Sequence, residues 1–299
     1  MTWKRKRSGS RRSAPRGSSG RRSPEAIGSS CAIPKATSSA CARNEGALLT
    51  IPISTARPST APVGEVLIVH GLAEHKGRYA YVQRSLADAG YVSHAIDLRG
   101  HGEAEGFPGK VSSADDWVDD VGEGISLASV DVPLFVVAHS MGTLPTLAYL
   151  GERGAGGIRG VVLSACPISP GQATLDALAD PDAPGIPPSA VSRDLAVVKA
   201  YAEDPLVFNE NVPPECTASV MLVAQRAFEA ASSIALPILL IHGGADPIAD
   251  ASGSQDMHDA LASTDKTLKV YDGLYHEVFN EPERDQVIGD VIAWLDAHR

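Results

Sequence analysis

The stretch Pro133-Leu134-Phe135-Val136-Val137-Ala138-His139-Ser140-Met141-Gly142 constrains the fold more than any other. Its unbroken apolar run behind a proline predicts a strand buried on both faces, and the segment Thr143-Leu144-Pro145-Thr146-Leu147-Ala148-Tyr149-Leu150 that follows reads as a helix. A serine at the junction, with small residues two positions to either side, fits a sharp strand-turn-helix elbow that lifts a hydroxyl above the edge of a sheet. Such a hydroxyl can serve as a nucleophile. The usual elbow pattern is Gly-x-Ser-x-Gly, and Ala138 stands here in place of its first glycine; as the smallest residue with a side chain, alanine keeps the turn feasible. Taken alone, the five residues also suit a buried Ser-Gly turn in an ordinary α/β domain.

The surrounding chain alternates in the same way. Leu48 to Ile53 is a weak strand candidate and Val66-Leu67-Ile68-Val69-His70 a strong one, followed by a helical pattern from Arg78 to Ala89 that closes at Gly90. Tyr91 to Asp97 reads as a strand, Asp115 to Ala128 as a helix, and Gly160 to Ala165 as a strand again. Strands that are apolar without in-out alternation, separated by helices, indicate a doubly wound, mostly parallel sheet covered on both faces. The alternation breaks at Pro167 and resumes at Leu236–His242. The helical patches between, Gln172–Ala179, Ser192–Ala202 and Ser219–Ala231, are too extensive for a plain loop and predict an inserted helical cap over about 168–232. A helix near Ser252–Ala262, a strand at Thr267–Tyr271 and a helix from Glu283 to His298 complete the pattern.

Charge divides the 299 residues unevenly. Residues 1–43 hold eleven Lys or Arg against the single acid Glu25, so the net −10 of the chain leaves −20 on residues 44–299. The first 43 residues, rich in Ser, Gly, Arg and Pro, lack the apolar side chains needed to offset the entropy of ordering and are read as a disordered basic tail. Its Lys4-Arg5-Lys6-Arg7, Arg11-Arg12 and Arg21-Arg22 blocks could bind nucleic acid or an anionic membrane, or act as an organelle-targeting peptide; the plainer reading is a tail without function. The acidic body, 44–299, argues against nucleic acid as a partner. With no apolar segment behind the arginines and no transmembrane span in the sequence, the expectation is a cytoplasmic protein. Cys31, Cys41, Cys166 and Cys216 are few and scattered, which suits a reducing interior and suggests neither a disulfide framework nor a zinc site.

An activated serine needs a base, an acid to orient the base, and N–H groups aimed at the developing oxyanion. In a doubly wound sheet these belong at the carboxyl ends of strands. Asp246 follows the strand ending at His242, and His276 follows the one ending at Tyr271, giving the chain order Ser140, Asp246, His276 expected of α/β-hydrolases. Asp250 and Asp272 are neighbouring carboxylates that could take the acid's part. The loop His70-Gly71-Leu72 follows an early strand, so the backbone N–H groups of Leu72 and Met141 are the candidate oxyanion hole. His139 should point away from the active face and serve packing, while His70, His75, His101 and His242 are expected to brace loops by hydrogen bonds. No spacing of His residues suggests a metal site, and no cofactor is implied. Asp115-Asp116 and Asp119-Asp120 read as a solvated helix start, where acids meet the helix dipole favourably.

At these residues the chain resembles the monoacylglycerol lipase and lysophospholipase branch of the α/β-hydrolases, within the serine aminopeptidase S33-type hydrolases. The likeness runs from about Leu48 to the end and rests on His70-Gly71-Leu72-Ala73-Glu74-His75-Lys76-Gly77-Arg78-Tyr79, Asp97-Leu98-Arg99-Gly100-His101-Gly102, Ala138–Gly142, Asp246 and His276, with Ser192-Arg193-Asp194, Tyr201 and Asp204-Pro205-Leu206 in the cap. It departs at Ala138, at Thr143 where a further glycine is common, and at Ala104 where serine often follows the His-Gly pair. The resemblance implies a serine hydrolase, cytosolic or at a membrane surface, whose cap (about 168–232) admits one acyl chain of a small glycerolipid ester. Peripheral membrane contact could come through cap or basic tail. Two alternatives stand beside it: an esterase for short-chain or non-lipid esters, and a non-catalytic ligand-binding protein of the same fold.

Overall fold

A computed structural model describes residues 51–299 except 112, 130, 172, 175–185 and 209–211. The basic tail, the start of the first strand candidate and most of the Gln172–Ala179 patch lie outside the described residues. Among the described residues seven strands form one sheet: β1 (Ile53–Ala56), β2 (Gly64–Val69), β3 (Tyr91–Ile96), β4 (Leu134–His139), β5 (Ile158–Ser164), β6 (Ile238–Gly243) and β7 (Lys266–Tyr271). Their order across the sheet is β1-β3-β2-β4-β5-β6-β7. The β1–β3 pair is antiparallel and every other pair parallel. Of the described part of the first strand candidate, 51–53, only Ile53 lies in β1. Pro52 has no N–H to donate to a ladder, so pairing starts beyond it, at Ile53↔Ile96, while its carbonyl accepts from Asp97 N at 2.9 Å.

Between the strands run α1 (Ala80–Asp88), α2 (Ala114–Ile125), α3 (Thr143–Arg153), α4 (Leu195–Glu203), α5 (Pro214–Ala230), α6 (Ala251–Ala260) and α7 (Arg284–Ala297). Their starts follow local chemistry. Ser113 and Asp116 form a reciprocal capping box on α2, and Asp194 and Asp250 cap α4 and α6 through the N–H groups of Ala196 and Ser252, both at 2.8 Å.

Alternate residues of the central strands feed two cores. Leu67, Val69, Val136, Ala138, Val161 and Leu163 pack with Trp117, Val121, Leu144 and Leu147 on one face. Val66, Ile68, Phe135, Val137 and Val162 pack with Val82, Leu86, Val287 and Val291 on the other. Full burial of each such side chain stabilises by roughly 1.5–3 kcal/mol, so the doubly covered strands β2, β4 and β5 anchor the fold.

Two details differ from the sequence reading. Asp120 is not solvated: it is fully buried and accepts from Arg99 N at 2.8 Å and Arg99 Nε at 2.6 Å, bracing the loop after β3. Burial pushes its carboxyl up to about 6 against the pull of those Arg99 bonds. The amphipathic pattern that buries Val118 and Val121 also turns position 120 inward, which the two acidic pairs 115–116 and 119–120 disguised. In addition, α5, which falls within the range expected for a cap, packs on the sheet's own core. Val223 and Ala227 belong to the first core, and a Cβ on Gly151 of α3 would overlap Ala230.

The reversal of strand order sets where loops can converge. From β2 the chain moves to one side as β3, then returns to the other as β4, so the carboxyl ends of β2 and β4, paired at Val69↔Ala138, open a crevice. Gly142 makes the approach possible, since a Cβ there would lie 2.7 Å from Val69 O and closer still to His70 O. Gly142→Ala should therefore lower stability by about 1–3 kcal/mol or more through overpacking. A reduced urea midpoint with unchanged slope would register it.

Candidate active site

Ser140 directly follows β4 at φ 47°, a left-handed conformation rare for a residue with a side chain. The strain is held locally. Ser140 opens a 3-10 turn that runs to Gly142 and leads into α3, and Thr143 Oγ1 donates to Ser140 O at 2.7 Å. Ala138, in place of the familiar glycine, is fully buried in the ladder between Val69 and Leu163, so its methyl group costs the elbow nothing.

His276 Nε2 lies 2.8 Å from Ser140 Oγ, and His276 Nδ1 lies 2.7 Å from Asp246 Oδ2. Because Nδ1 faces a carboxylate, it carries the proton, which leaves Nε2 free to accept from the serine hydroxyl. The loops behind this contact are tied together. Gly244 N donates to Tyr271 O at 2.7 Å and Ala245 N to Leu274 O at 2.9 Å, bringing the turn after β6 against the turn after β7. Gly243 permits it, for any side chain there would overlap the carbonyls of Leu274 and Tyr275.

The Asp246 side chain is fully out of water, and its oxygens are all engaged. Oδ1 accepts from Ile248 N at 2.8 Å and Ala249 N at 3.0 Å; Oδ2 accepts from His276 and, at 3.1 Å, from His242 Nε2. The rival acids sit elsewhere: Asp250 caps α6 and Asp272 is exposed.

The Leu72 loop lies against the serine. A Cβ at Gly71 would come 3.0 Å from Ser140 Cβ, and Gly71 N donates to Glu74 Oε1 at 2.7 Å. Leu72 packs at the border of the first core and Met141 is buried within it. Glu74 also accepts from Tyr79 OH at 2.8 Å and Arg78 Nη1 at 3.0 Å, while Arg78 Nη2 donates to Glu277 Oε2 at 2.7 Å. Arg78 thus joins the Leu72 loop to the residue after His276. The sequence offered these residues only as part of a motif, with no sign that a cation bridges two carboxylates 203 positions apart in the chain.

The expectation for His139 needs correcting. Its ring does not turn away; it rests 4.9 Å from the His276 ring, with Nδ1 3.1 Å from Ser164 Oγ. His139 shares strand parity with Phe135 and Val137, and that is the face covered by Leu274, Val278 and Phe279 beside His276. The other histidines brace loops. His70 Nε2 accepts from Leu98 N at 3.0 Å, His75 Nε2 meets Asp204 Oδ2 at 2.9 Å, and His101 Nδ1 reaches Arg99 O at 3.2 Å.

The chain between β5 and β6 is pinned to the same rim. Ser192 Oγ donates to Asn280 O at 3.0 Å, Arg193 N to Glu281 Oε1 at 2.7 Å, and the Arg78 guanidinium lies 4.6 Å from the centre of the Tyr201 ring. Among the described residues no group of His, Cys, Asp or Glu is placed to hold a metal ion.

Electrostatics separate the two facing imidazoles. Burial depresses both, but the charge and hydrogen bond of Asp246 more than offset this at His276 and raise it above the ordinary histidine value. His139 has no such partner, and burial with the neighbouring His276 charge takes it down to about 3. Burial would lift Asp246, yet His276 and His242 hold its carboxyl well below the usual range.

Comparison with known proteins agrees in fold and in family. Residues 60–283 match the family model described as serine aminopeptidase, S33. Monoacylglycerol lipase of Mycolicibacterium smegmatis is 37% identical over 255 residues, covering 81% of this chain and 91% of that protein. Monoglyceride lipase of Mus musculus is 31% identical over 264 residues, covering 81% of this chain and 85% of that one. The crystal structure of Paleococcus ferrophilus monoacylglycerol lipase superposes with a TM-score of 0.73 at 31% identity, covering 83% of this chain and 99% of that one. The fold is therefore the α/β-hydrolase fold.

The two ring neighbours should titrate in opposite directions. By histidine NMR, His276 is expected to have its midpoint above 6.5, with His139 unprotonated throughout a titration from about pH 8 to 5. A shared midpoint near 6.5 for both rings would contradict the assignment.

Proposed function

The chain belongs to the serine aminopeptidase S33 family and is an α/β-hydrolase enzyme of the monoacylglycerol lipase-like kind; on that premise we propose that it hydrolyses monoacylglycerol- or lysophospholipid-like acyl esters through Ser140, His276 and Asp246. The observation that carries the reading is the continuous relay from Ser140 Oγ to His276 Nε2 at 2.8 Å and from His276 Nδ1 to Asp246 Oδ2 at 2.7 Å, seated on the strained elbow.

In this mechanism Ser140 Oγ attacks the ester carbonyl while His276 Nε2 takes its proton. The tetrahedral oxyanion is received by the N–H groups of Leu72 and Met141. Collapse releases the alcohol, protonated by His276, and leaves an acyl-Ser140. Water, deprotonated by His276, then frees the fatty acid. Asp246 fixes the imidazole tautomer and stabilises the imidazolium, staying ionised throughout because its own carboxyl is held so far down.

Substrate selection is assigned to a helical cap over about 168–232, with 44–299 as the hydrolase domain. Support comes from α4, which lies between β5 and β6 and is anchored beside the relay through Arg193, Tyr201 and Asp204. Leu195, the first residue of α4, is 81% exposed and would suit contact with a lipid surface. No helix among the described residues is long and apolar enough to cross a membrane.

Ser140→Ala should reduce turnover of nitrophenyl acyl esters by about 10⁵- to 10⁶-fold and abolish labelling by a fluorophosphonate probe. Parental activity in that variant would end the mechanism. In a series of monoacylglycerols, kcat/KM should rise from short to medium and long acyl chains. A rate that peaks at the shortest chains would make the protein a short-chain esterase instead.

A further inference from the structure

Asp246 Oδ2 is shared by two imidazoles, and the mechanism uses only one of them. His242, the penultimate residue of β6, is fully buried. Its Nε2 faces acceptors alone, Asp246 Oδ2 at 3.1 Å and Ala249 O at 2.9 Å, so this nitrogen carries a proton. Its Nδ1 is anchored by Ser254 Oγ at 2.7 Å, in the first turns of α6.

We propose that His242 is a positioning residue for the relay, its Nε2–H holding Oδ2 of Asp246 in the orientation that His276 requires; this rests on the reading of Ser140, His276 and Asp246 as the catalytic triad. The two loop amides of Ile248 and Ala249 grip only Oδ1. Without a second donor, Oδ2 is held by His276 alone, the group whose position it is meant to set. His242 supplies an independent support, rooted in β6 and α6 rather than in the mobile partner of the reaction.

The same bond has an electrostatic effect. Two donors divide the negative charge of Oδ2, so the carboxylate is a weaker base and does not draw the proton off His276. The lowering of the Asp246 carboxyl comes from His242 as well as His276, against the opposing effect of burial. Removing the His242 donor concentrates charge on the oxygen facing His276, which stabilises the imidazolium and raises its titration midpoint. The other groups facing His276 are Ser140, the His139 ring, Glu277 and Glu74, and Asp250 acts on Asp246; none of them is altered by a change at residue 242.

Two substitutions separate the ends of the ring. In His242→Gln the amide nitrogen reaches the place of Nε2 and keeps a donor on Asp246. In His242→Asn the shorter amide reaches only the place of Nδ1, so it keeps Ser254 and loses Asp246. Each is assayed with a nitrophenyl ester, with pH profiles of kcat/KM and a thermal melt.

His242→Gln should stay within about threefold of the parent. His242→Asn should lose about 10- to 100-fold in kcat with KM nearly unchanged, and its acidic limb should move to higher pH. The inference is overturned by parental kcat and limb in His242→Asn, by equal impairment of both variants, or by the unfolding of both, which would make His242 a packing residue. Ser140→Ala in the same assay keeps the two readings apart. Activity there would refute the triad itself, whereas an inactive Ser140→Ala beside a parental His242→Asn refutes only the role of His242.

Discussion

A carboxylate taken wholly out of water costs several kcal/mol unless its lone pairs are filled, and the carboxyl ends of β6 and β7 are built around filling those of Asp246. Two amides meet one oxygen and two imidazoles the other. Satisfying that group fixes the path of the turn after β6, which through Gly244 and Ala245 fixes the turn after β7 and so the place of His276. His276 stands next to Ser140 because the Asp246 carboxylate has been solvated by protein instead of water. Buried polar networks of this sort are costly when half complete, which is why a change at one member is felt at the others.

A second buried set of charges does for the Leu72 loop what Asp246 does for the His276 loop. Arg78 lies between Glu74 and Glu277 and stacks beneath Tyr201, so one guanidinium holds the loop after β2, the loop after β7 and helix α4 in a common geometry. A planar donor fork suits this task better than a lysine would. Its two carboxylates leave the cluster net negative, and they add to the field of Asp246 that favours a charged His276. The rim of the site and the segment above it are thereby linked electrostatically to the base.

The parallel sheet was legible because its strands are apolar on both faces and each is followed by a helical period; only a doubly covered strand has that composition. That Ser140, Asp246 and His276 could come together was legible for a related reason, since side chains just beyond the carboxyl ends of neighbouring strands in such a sheet converge. Asp120 was misread because a charged residue next to three others looks solvated, and its burial depends on Arg99 arriving from a distant loop. His139 was misread because strand parity says which face a residue takes but not what will cover that face. The first strand slipped past Pro52 for want of a backbone donor.

By itself the sequence determined the period of every central element and the elbow at Ser140, and offered His276 and three carboxylates as its candidate partners, because these follow from burial patterns and local turn chemistry within a few residues. What only the tertiary structure decided is which carboxylate meets His276, that a second imidazole shares its oxygen, and that Arg78 joins two loops across the crevice. Those contacts pair residues tens to hundreds of positions apart, and side-chain hydrogen bonds act over about 3 Å, a distance no spacing along the chain encodes.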